Sequence, residues 1–153
     1  MKRVFAIITA LLDDYCRSSF GAGAEHVKKY WILADSVIVP RPRMFPLIKP
    51  ESLETMRPAL IAAAKPTMNE PSSNHRISFL HAGLEFTAIT AEAHRLKETA
   101  ETSGTKPAPT TVSALMERRW QMTRAIFQTR PLAVNAALVA ANDSTLNSAI
   151  NRE

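Results

Sequence analysis

The segment PRPRMFPLIKP, residues 40–50, holds four prolines, three cations and no acid, set among Met, Phe, Leu and Ile. Proline fixes φ, lacks an amide donor and keeps the preceding residue out of helical geometry, so this stretch can form neither a helix nor an inner strand. Seven of the ten prolines of the chain fall between Pro40 and Pro71. Regular structure must therefore form on either side of an extended, polyproline-like middle.

On both sides the apolar residues recur with helical period. From Val4 to Tyr15 they stand at 4, 5, 7, 8, 11, 12 and 15, one broad helix face, with Lys2, Arg3, Asp13, Asp14 and Arg17 on the other side. SSFGAG breaks this pattern, and a second helix is predicted from about Ala24 to Val37, ended by Pro40. Residues 51–65 read as a helix entered through Pro50 and interrupted at Pro58, and 66–74 as a loop. A long helix is predicted from Ile77 to Thr102, where Phe79, Ala82, Phe86, Ile89, Ala93 and Leu96 alternate spacings of three and four. After a break at 103–111, Thr110 or Thr111 is placed to cap a helix ending near Thr129, with Val112, Leu115, Met116, Trp120, Thr123, Ile126 and Phe127 inward. Residues 131–142 carry no charge and are rich in Ala, Val and Leu, as a closely packed central helix would be. A last short turn is expected around Leu146 and Ile150. No period of 20–50 residues repeats, which argues against a solenoid.

The expected fold is all-α: five or six helices in a small bundle, with an extended Pro-rich basic arm between the second and third. The expected organisation is an N-terminal helical hairpin (1–38), the arm with a short interrupted helix (39–74), and a C-terminal bundle (75–153) forming one globular unit with 1–38. A chain of 153 residues is long enough to bury a core without staples.

Net charge is +5, and the excess is uneven: residues 1–76 carry 11 cations and 7 acids, residues 77–153 carry 8 and 7. An acidic or phosphate-bearing partner would meet the first half, where the arm lies. Cys16 is the single cysteine, which excludes an internal disulfide and a multi-cysteine zinc site and fits a reducing intracellular compartment, with a mitochondrial or virion context left open. MKRVFAIITALLDDYC imitates a secretory leader, but no small-x-small cleavage site follows and Asp13-Asp14 interrupts it. No apolar run approaches eighteen residues, so a water-soluble chain without a membrane span is expected.

Chemistry-bearing patterns are sparse. FGAGAEHVKK places Gly21 and Gly23 before a helix start, where exposed amides attract anions, but the third glycine and any Gly-Lys-Ser/Thr are missing, and an interhelical turn accounts for it. His81, Glu85 and Glu92 share a helix face, yet the repeated Glu-x-x-His of carboxylate-bridged metal sites is absent, and i,i+4 or i,i+3 pairing on a solvated face explains them. Cys16 stands at the edge of the apolar stripe with no recognisable triad, as a buried thiol does. No cofactor, metal or catalytic residue is predicted.

Three basic-aromatic clusters remain: 26–31, 40–45 and 116–124. Trp31 and Trp120 fall on apolar stripes, as core or interface residues would. Met44, Phe45, Leu47 and Ile48 of the arm need apolar surface, either on its own domain or on a neighbouring subunit. These six are the candidate protein contacts. Arg41, Arg43, Lys49, Arg118, Arg119 and Arg124 are the candidate phosphate contacts. The first expectation is a non-catalytic helical structural or accessory subunit of a larger homo- or hetero-oligomeric assembly. The alternative is a nucleic-acid-binding helical protein such as a filament or capsid subunit, and the third is a small enzyme.

Overall fold

The computed structural model describes residues 2–37, 50–104 and 107–130, together with positions 133, 136 and 139. Among these residues the chain is all-helical, with no strand. The elements are α1 (Lys2–Phe20), one 3-10 turn (Gly21–Gly23), α2 (Ala24–Val37), α3 (Pro50–Ala64), α4 (Pro71–Ser103) and α5 (Pro109–Thr129). The arm at 39–49 and the segments expected at 131–142 and around 146–150 lie outside the described residues, apart from those three positions.

The chain forms two compact units, Met1–Leu84 and Glu85–Glu153, with the division inside α4. The reason is packing. α2 lies against both α1 and α3, and Ile77 of α4 joins the same core, which draws the N-terminal half of α4 into the first unit. That core is built from Cys16, Phe20, Ala24, Val27, Ala63 and Ile77, flanked by Leu12, Trp31, Ala64 and Leu80. Leu53, Met56 and Leu60 of α3 are fully buried, at spacings of three and four that keep them on one face. Complete burial of such a side chain contributes about 1.5–3 kcal/mol. In the second unit Ile89, Ala91 and Ala93 of α4 and Val112 and Thr123 of α5 are buried.

Pro58 does not interrupt α3; it sits exposed in the middle of the helix. A proline there leaves the carbonyl of Glu54 without its amide donor, a cost that water offsets on an exposed face. Thr67, wholly buried, donates its hydroxyl to the carbonyls of Ala63 and Ala64 at 3.1 Å each and closes the end of α3. The expected loop 66–74 is shorter than its composition suggests. α4 begins at Pro71, a first-turn position where a missing amide costs nothing, and Asn74 N–H donates to the Glu70 carbonyl at 2.9 Å. α5 likewise starts at Pro109, with Ala108 preceding it and no side-chain cap from Thr110 or Thr111. No helix among the described residues is long and apolar enough to cross a membrane.

Candidate protein-interaction surface

The broad apolar face of α1 divides in two. Leu12, Cys16 and Phe20, at steps of four, turn inward onto Ala24 and Val27 of the α2 side of the hairpin. Ile7, Ile8, Leu11 and Tyr15 remain 60%, 57%, 64% and 49% exposed. Taking 100° per residue, these four fall within an arc of about 100° centred near Leu11, well separated from the azimuths of Cys16 and Phe20. Apolar residues scattered singly on a surface are ordinary, whereas here three large aliphatics and a tyrosine align in one exposed stripe.

The roll of α1 that exposes this stripe is held by specific contacts. Asp13 pairs with Lys28 of α2, and the carboxylate raises the pKa of the ammonium chiefly through their hydrogen bond. Within α1 itself, Tyr15 and Phe20 meet edge to face with ring centroids 5.7 Å apart. At the turn between the two helices, the Glu70 carboxylate accepts the Ala22 N–H at 3.3 Å with either oxygen, and Arg76 Nη1 donates to the Ser19 carbonyl at 2.8 Å. A carboxylate thus faces the amide-rich start of α2 and a guanidinium faces the carbonyl-rich end of α1, each opposing the local helix dipole. The anion-attracting turn seen in FGAG is occupied from within the chain.

Two glycines permit that closure. Gly21 has φ of 50°, in the left-handed region, and a Cβ there would overlap Oε2 of Glu70. Gly23 is buried, and a Cβ on it would stand 2.8 Å from the Ala63 carbonyl oxygen and 2.9 Å from Cδ1 of Ile77. The turn is close-packed, with no room for a phosphate at Gly23.

In the second unit Arg119 is buried, at 4% exposure, with its guanidinium 5.1 Å from the centroid of the Phe86 ring. Arg118 approaches Glu85 at 3.8 Å. His94 lies nearby in charge terms: burial first, then Lys97 and Arg119, lower its pKa, while Glu98 opposes them. Arg124 stacks over Trp120 at 5.4 Å, and that ring is half-buried.

These placements sort the residues expected from sequence. Arg119 is an internal residue rather than a surface phosphate contact, because its stem and guanidinium are taken up by Phe86 and the core around it. Arg118 and Arg124 are exposed. Trp31 is half-buried against the first core, and its indole N–H is buried without a hydrogen-bond partner among the described residues. Met44, Phe45, Leu47, Ile48, Arg41, Arg43 and Lys49 lie outside the described residues. Glu92 is clamped by Arg95 through bonds of 2.7 and 2.5 Å, with its carboxyl held below the usual range by that hydrogen bond, so it belongs to a surface ion pair. Among the described residues no group of His, Cys, Asp or Glu could hold a metal ion. Cys16 is buried at 1% exposure, and burial, then Asp13, push its thiol pKa up, away from nucleophilic use.

Periodicity placed Ile7, Ile8, Leu11 and Tyr15 on the apolar face of α1 but not among the candidate contacts. Their signal was present in the width of the stripe: seven apolar positions in twelve exceed what one packing face of a short hairpin requires. No family model, no curated protein and no solved structure matches this chain.

Proposed function

We propose that this chain is a non-catalytic helical subunit that works by protein–protein contact, with the exposed stripe of α1 as its principal contact surface. The stripe is the observation that supports the reading: Ile7, Ile8, Leu11 and Tyr15 stay in water while Cys16 and Phe20 of the same helix are buried. Exposing aligned aliphatics disfavours solubility, and a second protein surface removes that cost. The raised thiol pKa of Cys16 and the closed, glycine-lined turn fit a chain without reaction chemistry. The Pro-rich arm, with Met44, Phe45, Leu47 and Ile48, is proposed as a further contact region.

The test is size exclusion with light scattering on the full chain, with and without nuclease, at low and high salt. Contact through apolar side chains predicts association that survives nuclease and changes little with salt. Binding through Arg41, Arg43, Lys49, Arg118 and Arg124 to phosphates would instead lose roughly 10³–10⁵ in affinity between about 50 and 200 mM salt if six to ten contacts were made. That second result would contradict the proposal.

A further inference from the structure

We propose that α4 is jointed at Gly83: the helical turn around this residue opens while the buried side chains on either side of it stay packed. This property is separate from the contact surface of α1 and does not depend on it.

A glycine inside a helix needs a reason, because it is about fivefold less favourable there than alanine. The other glycines of the chain each have one. Gly21 has φ of 50°, Gly104 has φ of 66° just beyond the end of α4, and Gly23 is pressed against the Ala63 carbonyl. Gly83 has none of these. It lies within the 33-residue α4, has no positive φ and is exposed. A Cβ built on it would meet no atom within 4 Å beyond its own helical surroundings. Packing and backbone conformation would both admit alanine there, and what glycine adds is freedom of the chain when the turn opens.

The place of Gly83 gives that freedom a use. The boundary between the two compact units, Leu84 to Glu85, falls beside it. Each flank of α4 is anchored within its own unit. In the first, Ile77 is part of the core and Leu84 is 2% exposed. In the second, Ile89 and Ala93 are buried, and the Arg119 guanidinium lies over the Phe86 ring. Undocking either flank exposes apolar surface to water, whereas opening the turn between them breaks only local helical bonds. The weakest turn of α4 therefore lies where one unit gives way to the other, and each unit keeps its own fold when the turn opens.

The experiment is native-state amide exchange on the full chain, followed residue by residue by NMR and expressed as protection factors. The amides of Leu84, Glu85, Phe86 and Thr87 have Leu80, His81, Ala82 and Gly83 as their helical acceptors, so their bonds span the joint. They are expected to be at least tenfold less protected than the amides of Ile77 and Ala93, through openings that leave those two closed. Gly83→Ala, which meets no obstacle, should raise the protection of the four spanning amides about fivefold and leave Ile77 and Ala93 unchanged. Protection that is uniform from Ile77 to Ala93 in the wild type overturns the joint. So does a Gly83→Ala variant that slows exchange equally along the whole of α4, or not at all.

Discussion

Leu11 and Leu12 are neighbours in α1 with opposite surroundings: Leu12 packs against the core formed by Cys16, Phe20 and Val27, while Leu11 is 64% exposed. The 100° between them is the angle at which α1 stops being a core helix and becomes a surface.

The closure of the α1–α2 turn by Glu70 is expected to be worth about 1 kcal/mol, the usual value of a side-chain oxygen on a helix start. Glu70→Ala should lower the unfolding free energy by that amount in urea titration, without loss of helical signal. Gly23→Ala should cost more, about 1–3 kcal/mol, because the added methyl meets a backbone carbonyl that cannot move aside. A Gly23→Ala variant as stable as wild type would contradict the close approach.

The Cys16 thiol reports on whether α1 stays docked. It is 1% exposed and its pKa is raised by burial and by Asp13, so alkylation by iodoacetamide should be roughly 100-fold slower than in denaturant. Reaction as fast in the native protein as in the unfolded chain would show α1 leaving the core freely.

His94 gives the second unit a defined acid sensitivity. Its folded pKa lies below 6.5, from burial and then from Lys97 and Arg119, whereas the unfolded ring protonates near its ordinary value of about 6.5. The folded state therefore binds fewer protons as pH falls through that window. The contribution is complete above about pH 6.5 and is lost as the pH drops towards the lowered folded value. His94→Gln should flatten the stability profile on the acid side of about pH 6.5. An unchanged slope would remove His94 as its source.

Helical class and much of the element order were readable from periodicity and proline placement, since each depends on neighbours within one turn. Ala24–Val37 shows this well, with Val27, Tyr30 and Ala34 buried as the spacing requires. The start of α4 was hidden because PSSNHR is polar and looks like a loop, whereas Pro71 at a first turn and the Glu70 carbonyl make it a helix start. Pro58 was read as a break because the cost of a mid-helix proline depends on whether water reaches the orphaned carbonyl, which only burial reveals. Arg119 was placed outside for a similar reason: a ring 33 residues away in sequence and on another helix, Phe86, supplies its cover. The exposed stripe was the hardest feature to read. Seven apolar positions define a face, but which part of that face is covered depends on the roll set by Asp13–Lys28, Glu70 and Arg76, partners up to 57 residues away.

The most direct measurement is the urea unfolding of Ile7→Ser/Leu11→Ser against wild type, at a dilution where the chain is monomeric. A surface kept for contact contributes little to the monomer, so the two unfolding free energies should agree within about 0.5 kcal/mol, with equal helical signal. A loss of about 2 kcal/mol or more for each residue would mean that these side chains are packed within their own fold, and the contact surface would be refuted.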